Sequence, residues 1–420
     1  MLNIIFQKLS TNIFSGISIV FNFILLISIN SIYGISLDTD IYFFSVVLVT
    51  FISIVSQLIW EGITNYYINF ESKIGFKSSY LYSSLLNLNI VFSTLIIFLY
   101  FLIVKYTNLI PSIYIEFFNI FIFYVLLQNI YTYNKFVLNI KKRYDLFYTL
   151  DIFVILFNII SLYLFSEIGI IILAYSIIIS TTIVLIYQFI LIFYKYNIKY
   201  FLIFYVKSFK NVYVNSFNLK LGQVLYLSKD LFISAYIQNI NINGLYSLYT
   251  YAFKLVSLSF QVIQIPAFNR YITEISLLIK KKERIVDTKL FINKKIFKTL
   301  ILVLVFQVII YLFLPELLKL ISYQITINQI NETRQIFVFL ALSNLIYLVI
   351  SFLERYISFL GQYKKILFIS LVFFILILVS FFMLESTKIE NIIIVLIVLP
   401  SVAYLLLVAL LYLKIIKEKR

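Results

Sequence analysis

Long apolar runs recur from one end of the chain to the other, each near the roughly 20 residues that cross a bilayer as a helix. The pattern predicts twelve spans, at about 11–33, 41–64, 81–104, 115–138, 147–166, 169–194, 216–238, 244–268, 296–314, 336–356, 366–385 and 391–413. The connections between them are short, and no soluble domain fits anywhere. The longest on one side, roughly Asn269 to Lys295, sets Ile272, Ile275, Ile279, Ile285, Leu290 and Phe291 among lysines, as suits a helix lying on a leaflet. The first run lacks a small-residue cleavage site and reads as a retained helix.

Composition agrees and removes several chemistries. The 420 residues are 63% hydrophobic and 12% charged, with a mean hydropathy of +1.03, far from an ordinary soluble domain. Cysteine and histidine are both absent. Disulfides, thiolate nucleophiles, His–Cys zinc sites and histidine bases are therefore excluded, and no metal is expected. The weight of Ile, Phe, Tyr, Asn and Lys fits an AT-rich genome, so 35 tyrosines alone do not argue for a sugar-stacking surface.

The net charge of +16 is an orientation signal. Among the 34 basic residues, Lys105, Lys319, Arg334 and Lys388 fall on one side of the predicted spans, with Asp38, Asp40, Glu116, Glu167, Glu316, Glu332, Glu385 and Glu390. Apart from Lys229 and Lys254, the remaining lysines and arginines fall on the other side, and the positive-inside rule places both termini in the cytoplasm. The excess suits attraction to anionic membrane lipids and gives no nucleic-acid footprint.

Three charges lie at membrane depth. Lys229 and Asp230 sit near the middle of the span 216–238, and Lys254 in the middle of the next. Such placement costs from about 3 to more than 10 kcal/mol, so these residues are expected to line a bundle interior or a water-filled cavity. Adjacent helical residues point about 100° apart, so the expected pairing is Asp230 with Lys254, across the two helices. Tyr226, Tyr246, Tyr249, Asn218 and Gln223 are candidate polar lining. Glu61, near the end of the second span, is a candidate gate or ion-coupling residue. Asp40 and Asp151 suit helix N-termini, and Glu354–Arg355 reads as a surface charge pair.

The chain also aligns with itself. At an offset of 204, Asp40–Tyr67 matches Gly244–Tyr271 without a gap, with identities at Tyr42/Tyr246, Ser53/Ser257, Gln57/Gln261, Ile59/Ile263, Asn65/Asn269 and Tyr67/Tyr271. The second span thus maps onto the eighth in the same orientation, which predicts a parallel repeat. The expected architecture is all-α, with two six-helix bundles, 1–200 and 211–420, around a central cavity and joined by a cytoplasmic linker, 201–210.

The stretch Gly244 to Leu258 (GLYSLYTYAFKLVSL), followed by Ile265–Pro266, resembles the seventh-to-eighth-helix signature of bacterial lipid flippases of the multidrug/oligosaccharidyl-lipid/polysaccharide exporter superfamily. Gly34 to Gly62, with Asp40–Ile–Tyr–Phe–Phe and Trp60–Glu61–Gly62, is similar to the first-to-second-helix region. The resemblance implies that Lys254, in Tyr251–Ala252–Phe253–Lys254–Leu255, holds the place of an essential arginine in lipid II flippases. Lysine keeps the charge but not the planar fork. Lipid II flippases also carry arginines in their first two helices, where this chain has Asn22 and Val55–Ser56–Gln57, and they have fourteen helices. These departures favour the related flippases for undecaprenyl-pyrophosphate-linked oligosaccharide: O-antigen, capsule or exopolysaccharide units. That reading implies a bacterial inner-membrane transporter working beside polysaccharide polymerase and chain-length proteins, with Lys254 and Lys229 as cations for the phosphates.

Two alternatives stay open. A drug or small-cation exporter of the same superfamily would carry carboxylates rather than lysines in its centre. A membrane polysaccharide polymerase would carry a large outside loop with catalytic basic residues, whereas the longest here runs about 315 to 335. No Gly-rich phosphate-binding loop occurs, so no nucleotide or other cofactor is expected and an ion gradient, the membrane potential or product consumption would drive transport.

Overall fold

The computed structural model describes residues 2–56, 75–106, 112–140, 144–205, 210–240, 242, 244–268, 271, 274–275, 285–323, 325–360, 362–384 and 388–418. The helices are α1 (Leu2–Tyr33), α2 (Leu37–Ser56), α3 (Gly75–Tyr106), α4 (Ser112–Phe121), α5 (Tyr124–Ile140), α6 (Tyr144–Leu164), α7 (Ile171–Ile190), α8 (Lys210–Asn239), α9 (Leu245–Ser259), α10 (Ile285–Leu312), α11 (Leu314–Ile321), α12 (Ile327–Phe359), α13 (Tyr363–Met383), α14 (Ile389–Ile393) and α15 (Leu399–Glu418). No strand occurs among the described residues. Ten segments among them are long and apolar enough to cross a membrane, which makes this an all-helical, multi-pass membrane protein. Two predicted spans fall outside the ten for different reasons. Tyr148–Leu164 is short. Helix α8 is polar, with Asn211, Asn215, Asn218, Lys220, Lys229 and Asp230 along it.

The chain divides into two compact units, Met1–Leu221 and Gly222–Arg420, and the cut falls inside α8. In the first unit α2, α3 and α7 pack on α5, α6 packs on α7, and α1 lies along α6. The second unit repeats this scheme: α9, α10 and α15 pack on α12, and α13 packs on α15. Helix α8 lies against α13, with Phe232 5.2 Å from the ring of Phe381 and the Tyr236 hydroxyl donating to the Leu384 carbonyl at 2.7 Å. Each pairing recurs six predicted spans later, as the offset between Tyr42 and Tyr246 implies. In both units the fourth span is the hub.

Polar side chains join these helices, because lipid offers a stranded polar group no partner. Within the first unit, Tyr82 donates to Asn134 at 2.9 Å, Asn129 to Ser93 at 2.8 Å and Ser53 to Gln128 at 2.8 Å. In the second, the Ser259 hydroxyl accepts from Gln307 at 3.3 Å and Asn344 at 3.0 Å, drawing α9, α10 and α12 together.

Two helices step through a π turn ahead of a proline. Phe260–Gln264 precedes Pro266, and Ile394–Val398 precedes Pro400. Proline donates no backbone hydrogen bond and its ring crowds the carbonyl four residues back, so a widened turn there lets the chain stay helical.

The segment after α7 is strapped lengthwise to α3. Ser79 accepts from the Lys199 amide at 3.2 Å, and Ser83 accepts from the Phe201 amide at 3.0 Å. The Asn87 amide donates to both the Phe201 and Ile203 carbonyls at 3.0 Å, and Ser84 donates to the Phe204 carbonyl at 2.9 Å. Tyr200 closes on the Asn87 oxygen at 2.6 Å, and Phe201 stacks on Tyr80 at 4.6 Å. Residues 79, 83, 84 and 87 share one helical face, so a Ser/Asn stripe substitutes for the partner strand an extended chain would otherwise need. Asn87→Ala strands two carbonyls and one tyrosine hydroxyl. It is expected to cost about 1–3 kcal/mol, read as a lower melting temperature in detergent with faster proteolysis between Lys195 and Lys210.

Candidate functional site

Helix α9 carries the motif on which the family resemblance rests, and its packing explains the residue types. Tyr251, Ala252 and Leu255 are fully buried, while Phe253 is exposed. Lys254 falls at the margin of the packed face and is half-buried. The motif therefore seats the helix with three side chains and presents the cation with a fourth.

Upstream on α9, Tyr246 is buried and donates to the Ser234 hydroxyl at 2.9 Å, clamping α9 to α8. Tyr249 is also buried, with its ring 5.9 Å from that of Tyr246. Asp230 is half-buried on α8. Asp230 and Lys254 stand on α8 and α9, the two helices of the expected pairing.

Lys229 lies deeper. Gly222, Tyr226, Lys229 and Ile233 share the face of α8 that packs into the second unit, and only 8% of Lys229 is exposed. Its ammonium donates to the Tyr226 hydroxyl at 2.6 Å and lies 4.1 Å from the centre of that ring and 5.4 Å from Tyr347. Tyr226 stacks between Tyr347 and Phe373, each at 5.1 Å, and tilts against Tyr404 at 5.3 Å. A desolvated ammonium over aromatic faces recovers about 2 kcal/mol or more per contact, which offsets part of its burial. The Tyr404 hydroxyl donates to Glu354 and lies 2.9 Å from Ser370.

The sequence reading missed this aromatic cage and the carboxylate behind it. Glu354 is not half of a surface pair with Arg355; it turns inward to Tyr404 because Tyr347 and Glu354, seven residues apart, occupy one face of α12. That spacing is the signal that could have found it. The first unit holds a second missed site. Lys135 bonds both carboxylate oxygens of Asp151, at 2.7 and 2.9 Å, and the Tyr131 hydroxyl donates to the same carboxylate at 2.5 Å. Asp151 is the eighth residue of α6 rather than at its N-terminus, and Lys135, near the end of the predicted span 115–138, is 8% exposed in the helix packing. Glu61, Gly62 and most of the basic run after α9 lie outside the described residues, as do the side chains of Asn218 and Gln223.

No protein-family model matches the sequence, and no curated protein is similar to it in sequence. Solved structures, in contrast, match over nearly the whole chain. The chain is similar to the lipid II flippase MurJ in an inward closed conformation, with a TM-score of 0.73 and 14% identity over 95% of this chain and 86% of that one. It is similar to a multidrug resistance MATE family transporter of the MOP superfamily in an inward-facing conformation, with a TM-score of 0.76 and 12% identity over 96% and 95%. It is also similar to a MOP superfamily transporter from Pyrococcus furiosus described by a reversed polarity of its binding pocket, with a TM-score of 0.67 and 12% identity over 98% and 95%. The fold is the one that these transporters share.

The ion pair in the first unit gives a direct test of packing. Asp151→Ala removes the carboxylate that neutralises the Lys135 ammonium and is expected to cost about 2–3 kcal/mol, at or below the range for fully buried pairs, since the Asp151 side chain is 30% exposed. Replacing both partners, Lys135→Met with Asp151→Leu, is expected to recover most of that loss, measured as melting temperature in detergent.

Proposed function

We propose that this protein flips an undecaprenyl-pyrophosphate-linked oligosaccharide, an O-antigen, capsule or exopolysaccharide repeat unit, across the bacterial inner membrane by alternating access. The observation that carries this reading is the half-buried Lys254 on α9, presented by a motif that resembles the flippase signature, in a fold shared with a lipid II flippase. The cargo has a doubly charged phosphate group, a long apolar tail and a polar glycan. A cation at membrane depth recognises the first. Lys254 then contacts the phosphates, and Asp230 holds the site's charge in balance when cargo is absent. Tyr246, Tyr249 and Tyr226 form the wall behind them. Lys229, enclosed by its rings, acts on the site through the field it exerts on Asp230. Glu61 keeps its proposed role as gate or ion-coupling residue. The lysine distribution puts both termini in the cytoplasm. Alternating access would use two six-helix bundles, 1–200 and 211–420, linked through 201–210, and the supplying and consuming partners would be membrane lipids, polysaccharide polymerase and chain-length proteins.

A multidrug exporter is the second reading, favoured by the close match to the MATE transporter. The two differ in the sign of the cargo. A cationic drug would meet the Lys254 ammonium, whereas a pyrophosphate would be held by it.

Lys254→Ala is expected to abolish surface-glycan export at unchanged protein level, and Lys254→Arg to retain part of it, both read as surface polysaccharide in a strain lacking the native gene. Full export by the alanine variant would remove the phosphate-binding role. For the neighbouring pair, the exchange Lys229→Asp with Asp230→Lys is expected to retain more export than either single change. A double variant no better than the singles would show that the two charges act independently.

A further inference from the structure

A groove on the second unit lies outside the machinery described so far. It encloses about 290 Å³ and is lined by Lys364, Lys365, Phe368 and Ile369 of α13 and by Leu411 of α15. Both lysines are exposed, and neither has an acidic partner among the described ion pairs. They stand in the first turn of α13, which has no acidic residue and no side-chain cap from Gln362. Cations are the unfavourable charge at that end of a helix, where free backbone N–H groups already concentrate positive potential. The arrangement is costly for the helix alone and favourable once an anion sits against it.

The rest of the groove is apolar and opens on the lipid-facing side of the helices, where Phe368 is 67% exposed. Its volume suits a phosphate headgroup and the first methylenes of a chain, since pockets for whole drug-sized molecules begin at about 300 Å³. On the orientation that the lysine distribution predicts, this end of α13 faces the cytoplasmic leaflet, whose lipids carry the complementary negative charge. We propose that the groove binds an anionic phospholipid of that leaflet, with its phosphate held by Lys364 and Lys365 and its acyl chain lying over Phe368, Ile369 and Leu411. The site is separate from Lys254 and does not depend on what the protein transports.

The test is native mass spectrometry of the full chain in detergent, titrated with phosphatidylglycerol or phosphatidylcholine of identical acyl chains. Two variants accompany the wild type: Lys364→Gln with Lys365→Gln, which removes charge, and Leu411→Trp, which fills the groove and keeps the charge. The wild type is expected to prefer phosphatidylglycerol by about tenfold, in line with two lysines near a membrane surface. The glutamine variant is expected to lose that preference, and the tryptophan variant to bind either lipid more weakly. The proposal fails if the wild type takes both lipids equally or if the glutamine variant keeps the preference. It fails equally if Leu411→Trp changes nothing, which would reduce the effect to diffuse surface charge. Displacement of the bound phosphatidylglycerol by inorganic phosphate alone would identify a free anion as the ligand and overturn the lipid assignment.

Discussion

In hydrocarbon a polar group finds no water, so each must be satisfied by the protein itself. That constraint organises the whole molecule. It explains why serine and asparagine pairs stitch the hub helices to their neighbours. It also divides the buried charges into kinds. Lys135 is neutralised by a carboxylate, and Lys229 is wrapped in aromatic faces. Lys254 is half-buried at the margin of its helix face.

That division gives the proposed mechanism its physical content. A cation held by ring faces and a tyrosine hydroxyl is fixed in place, and its effect on cargo is the field it contributes. A cation presented at a packing margin, on a helix anchored by three fully buried neighbours, can meet a phosphate without the helix moving. The two units share one packing scheme, yet the first holds a closed ion pair and the second aromatic rings around a lysine. The repeat supplied a scaffold, and the two copies have diverged in the charges they hold.

The fold was legible because span length and spacing report directly on a bilayer. The apolar run lengths report the membrane-crossing helices, ten of them among the described residues, and the Tyr42/Tyr246 register reports the packing scheme that the two units share. The site was legible only in part. Lys254 could be read, since a charge in an apolar run is conspicuous. Glu354 could not, because a carboxylate beside an arginine near a span's end looks solvated until Tyr404 is brought to it from fifty residues away. Lys135 escaped for a related reason: it lies three residues from the end of its predicted span, and only folding brings Asp151 to its ammonium.

The central claim is that this fold, with a lysine at its site, carries a pyrophosphate-linked glycan. The most direct measurement is transport by the purified chain in proteoliposomes, offered either a fluorescent undecaprenyl-pyrophosphate-linked oligosaccharide or a cationic dye. The account predicts that the lipid-linked glycan crosses and the dye does not. Movement of the dye with the glycan left in its original leaflet would contradict it and identify a cation exporter.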